Sequence, residues 1–560
     1  MKLYIRLLCF IVSFSPSYAL QTNNPDSNLY VIDSVLIPTR NGIDISAFIV
    51  RKKNITTTLP AILFYTTYYE GKKDNYFAKI SAEKGYVGIL AYARGIHTNL
   101  RYYFPYEHEV SDIYDIIDWI SKQAWCNGSV GMYGGSYTGF SQWSAVKKRH
   151  SALKTIVPQV AVMPGFDVPM ENNVQLNMSL YWPNDNIYKR KPIRRSLPFE
   201  WFEGGLSFGS MDTLAGFPDS IFQRWLQHPD YDSYWKSLVP SKEEYAGINI
   251  PILTTTGYYD GSQISALQYY KLHTMFNNNA NHYVVIGPYD HWGAQRKPAS
   301  VVRGYSIDSV ANINMQELAY LWFDYILKGK EKPSILKDRV NYQVMGTNSW
   351  FHSPSMSEMT NDTLTLYFNN SELISGKPSY QSKRLQTIDL KDRKTENSFF
   401  AASIVADSID TGNGLVFTSA PFEEDFAIQG AFFGNLIANI NKKDMDISLA
   451  LYELMPEGKY FYLTRYLGRA SYANDNSQRH LLTPNTDETI PIGNTRLVCK
   501  HIRKGSRLIA ILNINKHPFE IINYGSGKNV CDETMQDALN PLSILWSSKS
   551  HIKIPIKRNN

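Results

Sequence analysis

Gly134-Gly135-Ser136-Tyr137-Thr138-Gly139 lies between an apolar run, Val130 to Tyr133, and a helix-like segment, Phe140 to Lys148. Strand, sharp turn and helix form the setting in which a serine is held at the tip of a strained turn with its hydroxyl exposed. Such a turn crowds any Cβ near the backbone, which is why glycines flank it. The usual form, G-x-S-x-G, would place a glycine at Thr138; here it comes one residue later, at Gly139. Taken alone, the stretch reads more readily as an ordinary strand-to-helix turn containing a small residue, so the surrounding chain must decide.

Outward from it, short and continuously apolar runs recur: Ala61 to Tyr65, Tyr86 to Ala91, Lys154 to Val157, Ile252 to Thr256 and Tyr283 to Ile286. Runs of this kind suit strands buried on both faces. Helical segments separate several of them, at Tyr76 to Lys84, Ser111 to Gln123 and Ser265 to Phe276. In the second of these, Ile113, Ile116, Ile117 and Ile120 mark one helix face. Strands alternating with helices predict an α/β fold with a mostly parallel sheet covered on both sides. Ahead of it, Leu29 to Ile37 and Ile43 to Arg51 alternate and join through Asn41-Gly42, a hairpin signal.

Two regions break this alternation. Between Pro164 and Ile248 the sequence is irregular and rich in Trp, Asn, Pro and Asp, with short helical pieces at Ile221 to Leu226 and Tyr234 to Leu238. An insertion of this length suits a cap over a pocket, or a mere surface elaboration. Beyond the helix Met315 to Leu327, which stops at Gly329, the chain reads as short alternating runs, among them Thr363 to Phe368, Phe426 to Ile440, Ile447 to Leu454, Tyr460 to Tyr466, Leu508 to Ile514 and Ile552 to Ile556. That pattern predicts a separate β-sandwich. The expected division is 20–163 with 249–335 as the catalytic domain, 164–248 as the helical cap, and 336–560 as the β domain.

A nucleophilic serine needs a base, and the base an orienting carboxylate. In a parallel-sheet hydrolase they follow in the order Ser, Asp or Glu, His, each after a strand. Position sorts the histidines. His273 lies inside a helix and His282 at the wrong end of a strand, while His97 precedes Ser136. His291, in Gly287-Pro288-Tyr289-Asp290-His291-Trp292-Gly293, follows the strand Tyr283 to Ile286, at the end of the sheet where ligands bind. Asp260 directly follows Ile252 to Thr256; Asp290 is the competitor, but adjacent side chains face each other poorly. A turn aspartate before glycine is the plainer reading of Asp260. For the oxyanion, one donor is the backbone N–H of Tyr137. The other should lie in Thr66-Thr67-Tyr68-Tyr69-Glu70-Gly71, where spacing does not choose between Tyr68 and Tyr69.

Composition narrows the classes. With 560 residues, two or three domains are expected. The net charge of +6 is spread without a basic block, which gives nucleic-acid binding no support. There is no C-x-x-C pair and no H-E-x-x-H, so no zinc site is indicated. Lys2 and Arg6, the apolar run Leu7 to Phe14 and Ser17-Tyr18-Ala19 read as a signal peptide over residues 1–19, implying a secreted or periplasmic protein with no membrane span. Of the later cysteines Cys126, Cys499 and Cys531, the last two are the more plausible disulfide, with free buried thiols the equal alternative.

The motifs GMYGGSYTGF, TGYYDG and GPYDHWG, with ARGI at Ala93 to Ile96 and AWCNGSVGM at Ala124 to Met132, resemble the cocaine esterase / X-prolyl dipeptidyl-peptidase (CocE/NonD, S15-like) family of serine hydrolases, which also holds α-amino-acid ester hydrolases and cephalosporin acylases. The likeness runs from about Val35 to Lys330, and the β-rich tail resembles the family's jelly-roll domain. It implies an α/β-hydrolase fold with an inserted helical cap, Ser136 as nucleophile, Asp260 as acid and His291 as base, Tyr68 as the oxyanion tyrosine, and no cofactor. The chain also departs from the family. Asp-x-Arg-Gly is replaced by Tyr92-Ala93-Arg94-Gly95, leaving Arg94 a structural ion pair or loop contact, and Pro-Tyr-Asp is replaced by Thr67-Tyr68-Tyr69. Members that bind a substrate ammonium carry carboxylates after the catalytic aspartate, where this chain has Gly261-Ser262-Gln263. Glu171, in the cap, is the one candidate substrate-binding acid, set against a solvated surface acid.

The expectation is a serine hydrolase that cleaves an ester or amide acyl bond through an acyl-enzyme, on a small-molecule or peptide substrate, as a monomer or homo-oligomer. X-Pro dipeptide release is the alternative within the class. A glycan-binding protein with an inactive hydrolase domain is the alternative outside it.

Overall fold

Strand β5 (Cys126–Gly135) runs through a ten-stranded sheet and delivers Ser136 at its carboxyl end. The computed structural model describes residues 29–69, 75–188, 192–397 and 401–558. The expected signal segment 1–19, and Glu70 and Gly71, lie outside these. The sheet begins with the hairpin of β1 (Tyr30–Ile37) and β2 (Ile45–Lys52), then β4 (Val87–Tyr92), β3 (Leu59–Thr66), β5 and β6 (Leu153–Gln159). It continues through Ile252–Gly257, His282–Gly287, Val340–Val344 and Ser349–Ser353. From β4 to Val340–Val344 every pairing is parallel. The first hairpin and the last strand are antiparallel.

The sequence explains why these strands sit inside. Every residue of β4 and of Ile252–Gly257 is buried. The second contains three threonines, and each hydroxyl finds a partner: Thr254 with His282 Nε2 at 2.9 Å, Thr255 on the Ala294 carbonyl at 2.6 Å, Thr256 on Asp260 Oδ2 at 2.9 Å. Buried polar groups are tolerated on that condition. Helices cover both faces. On one, helix α1 (Tyr76–Glu83) meets helix Met315–Lys328 through the Ser81–Tyr320 hydroxyl pair at 2.8 Å. On the other, α3 (Tyr137–Lys147) follows Ser136 and packs beside α2 (Glu109–Ser121). There Trp143 stacks on Tyr269 of helix Gln263–Phe276, with ring centroids 4.5 Å apart.

The insertion contains six short α-helices among the described residues: Met178–Pro183, Leu197–Gly204, Met211–Ala215, Ser220–Leu226, Ser233–Leu238 and Lys242–Ala246. Only the fourth and fifth were expected from sequence. The others are one or two turns long, too short to show a periodic stripe. Local caps start several of them: Asp219 accepts from the N–H groups of Ile221 and Phe222, Asp232 from that of Tyr234, and Ser241 forms a capping box with Glu244.

From Asp362 onward the described chain holds strands and short 3-10 turns but no α-helix. Three long antiparallel strands, Arg507–Ile514, Asp446–Leu454 and Tyr460–Arg469, pair side by side near one end of its sheet. One expectation needs correction. The expected run Phe426 to Ile440 is two strands, Phe426–Ala431 and Phe433–Ile440, which change partners at Phe432. The sheet carrying Ser136 does not end before 336, because Val340–Val344 and Ser349–Ser353 extend it. Tyr258, Tyr259 and Tyr342 share one apolar core with the β strands, so the two halves are packed together.

Candidate active site

Ser136 adopts φ 60° and ψ −122°, a conformation that a side chain makes costly, and its surroundings over-determine it. Its N–H donates to the Gln159 carbonyl at 3.1 Å, and its carbonyl accepts from the Phe140 N–H at 3.0 Å. Gly134 has φ 130°, and a Cβ there would meet Thr138 Cγ2 at 2.3 Å. A Cβ on Gly139 would stand 2.8 Å from the Ala161 Cα and the Gln159 carbonyl oxygen. The offset glycine therefore has a physical reason. Position 139 is pressed against the neighbouring strand's exit, while the Thr138 methyl fills the space over Gly134.

Asp260 is buried and follows Ile252–Gly257 directly. Its Oδ1 lies 2.8 Å from His291 Nδ1 and accepts the Ser262 N–H at 3.0 Å; its Oδ2 accepts from Thr256. A carboxylate can only accept, so His291 donates through Nδ1 and keeps its lone pair on Nε2. Burial works against the charged ring. The charge and hydrogen bond of Asp260, with smaller contributions from Asp290 and Asp167, outweigh it and raise the His291 pKa above 6.5. Asp290 is occupied elsewhere: its Oδ1 accepts the N–H groups of Trp292 and Gly293 in its own turn.

Tyr68, rather than Tyr69, reaches the serine. The Tyr68 hydroxyl is turned toward the Ser136 side chain, the Trp182 indole and the Tyr137 backbone, and hydrogen bonding to these three acts on its pKa. The Trp182 Nε1 lies 3.4 Å away. Tyr69 is turned outward, its ring 3.9 Å from that of His97. Burial raises the Tyr68 pKa, although those three hydrogen bonds pull it down. Trp182 comes from the insertion and also stacks on Tyr106 at 5.9 Å, over Tyr137. No motif in the sequence pointed to it. Its place depends on how the insertion folds back.

Glu171 is neither a solvated acid nor free to meet a ligand ammonium. It is buried, and its two oxygens accept from Arg496 at 2.6 and 2.7 Å, with Arg465 at 3.6 Å. Burial alone would raise its pKa; the two guanidinium groups win and hold it below the usual carboxylate range. Arg496 also donates to the Gly261 carbonyl at 3.1 Å, beside Asp260. Arg94 forms the expected ion pair, a buried one with Asp112 of α2. Cys499 and Cys531 are free, buried thiols whose pKa values burial pushes up to about 12.

These motifs can be set beside known proteins. A family model described as X-Pro dipeptidyl-peptidase (S15 family) matches residues 41–293, and one described as X-Pro dipeptidyl-peptidase C-terminal non-catalytic domain matches residues 336–509. Cocaine esterase from Rhodococcus sp. (strain MB1 Bresler) is 25% identical over 354 residues, which span 58% of this chain and 60% of that protein's length. The fold matches an aminopeptidase from the marine sediment archaeon Thaumarchaeota archaeon with a TM-score of 0.84 at 20% identity, covering 98% of this chain and 99% of the other. It matches an α-amino acid ester hydrolase with a TM-score of 0.78 at 19% identity, covering 98% and 100%. The molecule is an α/β hydrolase with a C-terminal all-β domain. The chain belongs to the cocaine esterase / X-prolyl dipeptidyl-peptidase family and is a serine hydrolase.

Proposed function

We propose that the protein hydrolyses a carboxylic ester or acyl amide through Ser136, His291 and Asp260. The observation that carries this reading is the 2.8 Å contact of Asp260 with His291, in a site toward which the Tyr68 hydroxyl is turned. His291 Nε2 takes the Ser136 proton as Oγ attacks the acyl carbon. The carbonyl oxygen becomes an oxyanion, held by the Tyr68 hydroxyl and the Tyr137 N–H. Collapse expels the alcohol or amine, which takes its proton from His291, and leaves an acyl-serine. Water, deprotonated by His291, attacks that ester; the acid leaves and Ser136 regains its proton.

Acyl-ester chemistry is favoured over release of X-Pro dipeptides by the state of Glu171. A dipeptidyl-peptidase must hold a free N-terminal ammonium, and this acid is already paired with Arg496. A panel of acyl esters against Xaa-Pro amides separates the two, and faster turnover of the amides would reverse the preference. Ser136→Ala is the test of the chemistry: it should abolish hydrolysis of a nitrophenyl ester and labelling by a fluorophosphonate. Wild-type turnover in that variant would remove Ser136 from its role. Residues 1–19 are read as a cleaved leader, so the first residue of the exported chain should lie near Leu20.

A further inference from the structure

Glu109 opens helix α2 and is 2% exposed, and the reaction above gives it no part. Its Oε1 accepts the Tyr137 hydroxyl, and the Tyr106 N–H at 3.1 Å. Its Oε2 accepts the His108 N–H at 2.9 Å. Arg94, which feels the charge of Glu109, is committed to Asp112 one turn along the helix.

Tyr137 does not end this network. The Tyr103 hydroxyl, also buried, accepts from Thr67 Oγ1 at 2.8 Å and lies toward the Tyr137 side chain, whose hydrogen bonding works against the burial that raises the Tyr103 pKa. Thr67 is bonded in sequence to Tyr68. A line of hydroxyls thus runs from Thr67 through Tyr103 and Tyr137 to one carboxylate. Burial lifts the Glu109 pKa to about 7; when ionised, its carboxylate can only accept, and it then sets the direction in which each hydroxyl donates.

We infer that Glu109 is a positioning residue for both oxyanion donors, acting on Tyr137 through its ring and on Tyr68 through Tyr103 and Thr67. The inference rests on the reaction proposed above. Its physical basis is that oxyanion donors stabilise a transition state only when they are aimed before charge develops. The Tyr137 N–H sits at the first turn of α3, on a residue whose ring is tied at its far end. The Tyr68 hydroxyl reaches Ser136 from a strand terminus whose preceding residue is tied to the same anchor.

The test compares Tyr137→Phe, Tyr103→Phe, Glu109→Gln and Glu109→Leu, with folding checked by near-UV circular dichroism. Tyr137→Phe keeps the backbone donor and the ring and removes only the tether. Its kcat on a nitrophenyl ester should fall about ten- to hundredfold with KM nearly unchanged, the signature of a loss confined to the transition state. Tyr103→Phe should fall in the same direction by less. Glu109→Gln keeps an acceptor for Tyr137 and should retain more activity than Glu109→Leu. An arylboronic acid reports on the oxyanion site itself. The Ser136 oxygen adds to its trigonal boron as His291 takes the proton, forming a tetrahedral anionic adduct. Its affinity should weaken in step with kcat/KM. Folded Tyr137→Phe and Tyr103→Phe with wild-type kcat would overturn the inference, as would a fall in kcat with boronate affinity intact. Ser136→Ala separates this from failure of the underlying reading: wild-type turnover there removes the reaction, whereas an inactive Ser136→Ala beside a fully active Tyr137→Phe removes only the role of Glu109.

Discussion

Arg496, on the all-β domain, closes on both oxygens of Glu171 at 2.6 and 2.7 Å, and both side chains are buried. The same guanidinium reaches the Gly261 carbonyl, and next to it Gln263 exchanges hydrogen bonds with the Leu497 N–H at 2.7 Å and carbonyl at 2.8 Å. The loop that carries Asp260 is therefore held from the β side as well as by its own sheet. Arg496→Met should leave Glu171 charged and buried with Arg465 as its remaining partner, costing about 3–5 kcal/mol. Urea unfolding should show this as a lower midpoint, and the double replacement Arg496→Met with Glu171→Leu should recover most of it. Equal midpoints for the single variant and wild type would show that the pair contributes nothing.

The Asp260–His291 contact sets a pH dependence with a definite sign. His291 must be neutral to take a proton, and its pKa is raised above 6.5. The acid limb of the kcat/KM profile should therefore have its midpoint above 6.5. Asp260→Asn removes the charge that holds the imidazolium, so the midpoint should move down while kcat drops by about 10⁴.

Tyr68→Phe removes one proposed oxyanion donor and leaves the Tyr137 N–H. A fall of about 10²–10³ in kcat with a small change in KM is expected on a nitrophenyl ester. Tyr69→Phe is the control, since Tyr69 faces away toward His97, and its turnover should match wild type.

Asp167 is a buried carboxyl whose pKa burial lifts to about 7; the Ser265 hydroxyl at 2.5 Å and the Met163 N–H at 2.8 Å hold it, and the charge of Asp260 adds to the rise. Its ordinary value is 3.8. Between the two values the folded state binds more protons than the unfolded, so stability contributed here falls as pH rises and is gone above about 7. Denaturant midpoints taken from pH 5 to pH 8 should show a steeper decline for wild type than for Asp167→Asn. Parallel curves would exclude Asp167 as a source of the decline.

Much of this protein could be read from local signals. The strand-turn-helix around Ser136, the position of Asp260 and His291 each just after a buried strand, and the helix face Ile113, Ile116, Ile117 and Ile120 all follow from short-range pattern. A continuously apolar run has few options but burial, and a parallel sheet brings its loops to one end. The order of motifs along the chain therefore already implied a shared site.

What needed the tertiary structure was every relationship between distant segments. Tyr68 and Tyr69 are chemically alike and adjacent, and only the packing of Trp182 and Tyr137 turned Tyr68 toward the serine. Glu171 looked like a candidate for an ammonium until Arg496, 325 positions along the chain, occupied both its oxygens. Glu109 carried no motif, because a buried carboxylate is recognised by the hydroxyls it gathers and not by its neighbours in sequence. The glycine that seemed out of place at 139 was explained by Ala161, across a crossover the sequence cannot measure. Local pattern determined which chemistry the chain carries; three-dimensional packing, which alone sets distance and desolvation, decided which groups perform it and which are held in check.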